Sequence, residues 1–170
     1  MIIRQEKEED RPAVEAVVAS AFENKEHSDH QEHVLVDKLR ESRAFVPDLS
    51  LVAEVDGLLV GYILFTEIKV GGDTLLALAP VAVLPDWQRR GVGGELIREG
   101  HRIAAGLGYK GCVVLGHADY YPRFGYTKAV LFDIKAPVEV PDDYYMAMEV
   151  YPGALDDVAG VVEYDEAFGL

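Results

Sequence analysis

The sequence predicts an α/β protein built on a central twisted mixed sheet flanked by helices, and three stretches carry that prediction. Leu75 to Leu84 is apolar throughout and carries no charge, the pattern of a strand buried on both faces. Pro85-Asp86 breaks it, and from Gly91 onward apolar residues return at helical spacing, at Leu96, Ile97, Ile103 and Leu107. Upstream, Leu51 to Val55 and Leu59 to Lys69 flank Asp56-Gly57, a pair suited to a tight hairpin turn. The whole chain reads β-α-α-β-β-β-loop-α-β-α-β-β as a single domain over residues 1–170.

Ile2 to Arg4 is a short first strand. Asp10 is expected to cap a helix with Pro12 in its first turn, and Ala13, Val14, Val17, Val18, Ala21 and Phe22 form its apolar stripe. A second helix runs from Glu32 to Ser42 on Val34, Leu35 and Leu39, with Lys38 and Arg40 at its negative end. Pro47-Asp48 closes the connection to the hairpin, and Gly71-Gly72-Asp73 turns the chain into the apolar strand. Pro80 sits inside that strand and has no N–H to donate, which predicts a bulge over Ala79 to Val81. After the helix, Gly106-Leu107-Gly108 is a glycine stop, and Gly111 to Gly116 is a further buried strand. Val130 to Phe132, Tyr144 to Val150 and Gly160 to Tyr164 are read as the last strands.

Composition bounds the function. Thirty acids against sixteen Lys and Arg leave a formal net charge of −14, which argues against nonspecific binding to nucleic acid or an anionic membrane. It favours cationic partners such as amines, although solubility alone accounts for it equally well. No stretch is long and apolar enough to span a membrane, and the start Met1-Ile2-Ile3-Arg4-Gln5-Glu6 lacks a signal-peptide pattern. Cys112 is the only cysteine, so no intrachain disulfide forms and a cytoplasmic setting is the simplest. From Ala136 to Leu170 there are acids and no Lys or Arg, either a solvated face or an acidic rim for a cationic acceptor. His27, His30 and His33 recur every three residues, which turns about 60° per step around a helix and converges poorly on one ion. They read as part of a polar connection, and no metal is expected.

Between strand and helix lies Gln88-Arg89-Arg90-Gly91-Val92-Gly93-Gly94. Its glycines let the backbone fold tightly and let a ligand approach without meeting a Cβ. The free N–H groups of the following helix converge where its dipole is positive, an anion site suited to pyrophosphate. A glycine-rich helix start with two solvated arginines is the plain alternative. A Walker loop needs Gly-Lys-Ser/Thr where this chain has Gly-Gly-Glu, and the dinucleotide spacing fails after Gly93.

Gln88-x-x-Gly91-x-Gly93 after a strand resembles motif A of the GNAT N-acetyltransferases. His117-Ala118-Asp119-Tyr120-Tyr121-Pro122-Arg123-Phe124-Gly125-Tyr126 resembles the second signature of that family, in the YhbS-like branch, where core packing is the plain alternative. The resemblance covers residues 1–150 well and the last twenty poorly. It implies a GNAT acyl-coenzyme A fold and transfer from acetyl-coenzyme A, as co-substrate, to a primary amine of a small molecule or to a protein amino group. Gln88, Arg89, Arg90, Gly91, Val92, Gly93 and Gly94 would hold the pyrophosphate, and the backbone of Val81, Ala82 and Val83 the pantetheine arm and thioester carbonyl. Tyr121 falls on the tyrosine near the thioester sulfur and is the expected acid, with the adjacent Tyr120 expected to be nearly silent in rate. The connection carrying the three histidines would border the acceptor cleft. Thr74 to Val83 offers no ionisable side chain, so the base is open among Glu54, Glu67, His117, Asp119 and a relayed water. An acyl-enzyme on Cys112 is a weaker route. A noncatalytic acyl-coenzyme A sensor is the alternative to the enzyme, and a homodimer is among the assemblies this reading allows.

Overall fold

The long hairpin sets the frame of the computed structural model, which describes residues 1–170. β2 (Phe45–Val55) and β3 (Leu58–Val70) pair antiparallel across Asp56-Gly57, whose φ values of 49° and 80° are the left-handed pair of a type I′ turn. β4 (Asp73–Val83) returns along β3, and β1 (Ile2–Gln5) adds to the far side of β2. β5 (Gly111–Leu115) then lies parallel to β4, followed outward by β8 (Tyr145–Glu149) and the two-residue β6 (Thr127–Lys128). β9 (Gly160–Glu163) pairs with the end of β3 and with the short β7 (Ile134–Lys135).

Alternation along these strands decides what each face covers. Leu51, Ile63, Phe65, Leu76 and Leu78 pack with Val92, Leu96, Ile97 and Ala104 of α3 (Val92–Gly106). Their neighbours Val52, Tyr62, Leu64 and Ala82 pack with Val14, Val17 and Val18 of α1 (Arg11–Phe22) and Val36 and Leu39 of α2 (Glu32–Arg40). A third cluster, Ile68, Val70, Leu75, Val113, Tyr145, Ala147 and Val162, ties β9 into the sheet, so the last twenty residues belong to the same fold.

Several expectations are corrected. Asp10 does not bond the first turn of α1. Its carboxylate accepts from Lys7 N at 2.7 Å and from both Arg4 guanidinium nitrogens at 2.7 and 3.0 Å, closing the preceding 3-10 turn instead. Ala13 faces solvent rather than the stripe. α2 ends at Arg40, two residues short of Ser42. Pro47-Asp48 lies within β2, in an irregular stretch between the Phe45 and Ser50 pairings where a missing N–H breaks nothing. Val130 to Phe132 is no strand. Asp133 takes φ 57° and donates its N–H to Val130 O at 3.1 Å, closing a 3-10 turn that leaves Leu131 71% exposed.

α3 lies close on the sheet at Gly100, where an added Cβ would stand 2.2 Å from Cε1 of Phe65. Alanine elsewhere in a helix gains about 1 kcal/mol over glycine. Here overpacking costs about 1–3 kcal/mol, the larger effect. Gly100→Ala should therefore lower the urea midpoint at constant m, by a net destabilisation of up to about 2 kcal/mol. A raised midpoint would show that α3 does not bear on Phe65.

Candidate active site

The parallel ladder between β4 and β5 consists of Leu76 with Cys112 and Ala77 with Val113, and then stops. Beyond it β4 bulges. Leu78 pairs with Phe65 and Val81 with Ile63, so Ala79 and Pro80 together oppose Leu64, at the position predicted from Pro80. Val114 and Leu115 of β5 continue on β8 alone, opposite Met146 and Tyr145. A slot is left between the two parallel strands. Leu84 N donates to Val60 O at 2.9 Å, and antiparallel alternation from that bond turns the N–H and C=O of Ala82 toward β3. Those of Val81 and Val83 point the other way, into the slot.

The loop after β4 closes one end. A 3-10 turn at Pro85–Trp87 is followed by Gln88, whose Nε2 donates to Val83 O at 3.0 Å and ties the loop to the strand end. Arg89 and Gly91 are left-handed, with φ 62° and 84°, so the helix begins at Val92. Glycine adopts the Gly91 conformation without the strain a Cβ would bring. Glu95 N bonds Gly91 O at 3.0 Å, which leaves the N–H groups of Val92, Gly93 and Gly94 without helical acceptors and without a side-chain cap. Positive charge gathers here. Arg90 stacks on Trp87 at 5.0 Å, Arg98 on Phe124 at 5.0 Å and Arg123 on Tyr120 at 4.9 Å. Neither these three nor Arg89 forms an ion pair.

Tyr121 opens a 3-10 helix, Tyr121–Phe124, just beyond the end of β5. Its ring lies on Gly116, where an added Cβ would stand 2.3 Å from Cε2. Tyr120 and Tyr126 meet it edge-on at 5.1 and 5.7 Å between centroids. The ring is buried, its hydroxyl has no hydrogen-bond partner in the protein, and burial pushes its pKa up. Behind it, the Tyr126 hydroxyl bonds His101 Nε2 at 2.9 Å. Burial pulls His101 down to about 4, so the imidazole is neutral near pH 7. His101 was not singled out from the sequence, although its spacing from Ile97 and Ala104 sets it on the buried stripe of α3.

The N-acetyltransferase YhbS of Escherichia coli, an uncharacterized protein, is 32% identical to this chain over 171 residues, covering 99% of this chain and 98% of YhbS. The chain belongs to the GNAT acetyltransferase family. A sequence profile described as an acetyltransferase (GNAT) domain matches residues 47–128, from β2 through the loop and Tyr121 to β6. The crystal structure of E. coli YhbS in complex with CoA superposes with a TM-score of 0.90 at 31% identity, over 99% of this chain and 92% of that one. A GNAT acetyltransferase from Brucella melitensis in complex with acetyl-CoA gives a TM-score of 0.82 at 37% identity, over 98% and 97%. The uncharacterized E. coli N-acetyltransferase YjhQ is 41% identical over 115 residues, 65% of this chain, which spans 64% of YjhQ.

Within this GNAT fold the expected base candidates separate. Glu54 is bonded to Arg4 at 3.1 Å on the β1 side of the sheet. Glu67 accepts from the Tyr109 hydroxyl at 2.6 Å, beside Leu76 and away from the loop end of β4. His117 and Asp119 are exposed on the turn leading into Tyr121, where His117 O accepts from Tyr120 N at 3.2 Å. Cys112 is fully buried, and burial raises its thiol to about 12, which leaves no thiolate for an acyl-enzyme. His27 and His30 are exposed and do not converge with His33, and no group of three His, Cys, Asp or Glu is placed to hold a metal.

The depressed His101 value has a stability consequence. The unfolded histidine, near its ordinary 6.5, takes up a proton before the folded one at about 4. Stability is therefore complete above pH 6.5 and is lost as pH falls toward 4, by roughly 3 kcal/mol. His101→Phe should flatten the fall of the urea midpoint between pH 6.5 and 4. An unchanged profile would mean that His101 is solvated.

Proposed function

We propose that the chain transfers the acetyl group of acetyl-coenzyme A to a primary amine, of a small molecule or a protein, by direct attack in the cytoplasm. The observation that carries this reading is the slot between β4 and β5, with slot-facing peptide groups along β4 and an unpaired cluster of N–H groups and arginines at its end. A pantetheine arm and a pyrophosphate have that shape and that charge. The relatives crystallised with CoA and acetyl-CoA share the fold over nearly its whole length.

In this arrangement the N–H groups of Val92, Gly93 and Gly94, with Arg89 and Arg90, take the pyrophosphate. The slot-facing peptides of Val81 and Val83 bond the pantetheine arm and the thioester oxygen, while Gln88 braces the strand end. Ala82 lines the site through its neighbours only, because its own peptide faces β3. An amine at pH 7 is mostly protonated, and its neutral form attacks the carbonyl carbon. The C–N bond forms, the C–S bond breaks, the nitrogen releases a proton to a base or relayed water, and the departing sulfur takes one. Tyr121, kept protonated by burial, donates to that sulfur as charge builds on it. A noncatalytic acyl-coenzyme A sensor would use the same slot, but it has no need of the unpartnered Tyr121 hydroxyl.

Tyr121→Phe keeps the ring packing and removes the donor. Turnover should fall about 10²- to 10⁴-fold while acetyl-coenzyme A affinity holds, since a ground-state thioester sulfur accepts hydrogen bonds poorly. Wild-type turnover in that variant, with an acceptor found by amine screening, would assign Tyr121 to packing. Gly91→Glu places a carboxylate and backbone strain at the loop. It should weaken coenzyme A binding by orders of magnitude with the protein still folded, and unchanged calorimetric affinity would remove the loop from the site.

A further inference from the structure

The hydroxyl of Tyr120 lies beside the first turn of α3, 3.0 Å from the point where a Cβ on Gly93 would stand. No protein group hydrogen-bonds it. The residue is nonetheless held firmly. Arg123 Nε donates to Tyr120 O at 3.0 Å while its guanidinium covers the ring at 4.9 Å. Tyr121 and Phe124 brace the same ring edge-on at 5.1 and 5.2 Å. Arg98 reaches back along α3 to the same place, with Nη1 3.2 Å from a Cβ built on Gly94. Burial pushes the Tyr120 phenol up while Arg123 and Arg98 pull it down, which sets both arginines within electrostatic reach of the hydroxyl.

A rigid, unpartnered donor between two unpaired arginines and the free N–H groups of a helix start is suited to an anion, and a water-filled gap there would leave it without a fixed acceptor. We propose that Tyr120 is a further ligand-binding residue of the slot, its hydroxyl donating to a pyrophosphate oxygen of the coenzyme beside Gly93. This rests on the acetyl-coenzyme A reading above. It also gives Gly93 a second role. A side chain there would strike the Tyr120 hydroxyl, so the glycine keeps open the gap that donor and phosphate share. The effect of Tyr120 lies in affinity, which a comparison of turnover at saturating co-substrate does not show.

Coenzyme A carries phosphate in two places, the pyrophosphate and the ribose 3′-phosphate, and the experiment separates them. Coenzyme A and 3′-dephospho-coenzyme A are titrated calorimetrically into the wild type and Tyr120→Phe, with melting temperatures measured alongside. The variant keeps the ring, so its melting temperature should match the wild type. Its Kd should rise about ten- to a hundredfold for both ligands, the loss expected for a hydrogen bond to a charged group. Equal affinity in variant and wild type would overturn the proposal, as would a loss confined to the ligand that retains the 3′-phosphate. Failure of the wild type to bind coenzyme A at all would instead overturn the acetyl-coenzyme A reading beneath it.

Discussion

Ala79 and Pro80 together stand opposite Leu64, and the extra residue changes what β4 can offer on its other edge. Before the bulge β4 holds β5 through Leu76 and Ala77. After it the two strands share no pairing, although β4 remains on β3 as far as Val83 and β5 remains on β8 as far as Leu115. Strand edges with unpaired N–H and C=O groups usually invite unwanted pairing and are blunted or covered. Here such edges face each other across a slot inside the sheet, where an extended, hydrogen-bonding ligand would meet backbone partners on both sides. The α3 helix depends on the same arrangement. It crosses from β4 to β5 and starts where the slot ends, so its unpaired N–H groups lie at the mouth.

The net charge of this acidic protein is compatible with the anion site proposed at the start of α3. A net −14 repels phosphate at long range, but exposed charges are screened within about 8–10 Å at physiological ionic strength. Acids elsewhere on the surface are partly spent on local partners, as with Lys110 and Asp73 at 2.8 Å or Lys128 and Asp143 at 2.9 Å. Arg89, Arg90, Arg98 and Arg123 have no such partners, and aromatic rings carry three of them. A guanidinium on a ring is held in place without a counter-charge, and Arg123 is fixed further by donating to the backbone carbonyls of Tyr120 and Asp119, so the cluster is ordered without being neutralised. The acidic C-terminal stretch is largely solvated, and only some of its carboxylates have structural uses. Glu149 accepts from Leu155 N at 3.0 Å and Asp165 from Ala167 N at 2.9 Å.

The parts of the fold legible in the sequence are those whose cause is local. Pro80 lacks a donor wherever it sits, and the bulge follows from that. Asp56-Gly57 specifies its own turn, and Gly91 marks a left-handed position ahead of an apolar period. Expectations failed where a distant partner decided the outcome. Asp10 had the composition of a cap, but Arg4, six residues away in sequence and bound through β1, holds its carboxylate. Val130 to Phe132 had strand propensity, yet the left-handed Asp133 ends the run before it can pair. The aromatic signature singled out Tyr121, while the reason it sits where it does, a ring laid on Gly116 and propped by the His101-bonded Tyr126, joins three segments. The base was illegible for the same reason: Glu54 and Glu67 look available in the sequence and are committed to Arg4 and Tyr109 in the fold.

The central claim is that the peptide groups of Val81 and Val83 face an open slot that the co-substrate fills. Amide hydrogen exchange resolved by residue tests it most directly, with and without saturating coenzyme A. Ala82 N–H, bonded to β3, should be protected in both states. Val81 and Val83 N–H should exchange readily in the free protein and slow markedly once the ligand is bound. Protection at Val81 and Val83 that is already complete without ligand, or that ligand leaves unaltered, would contradict the account.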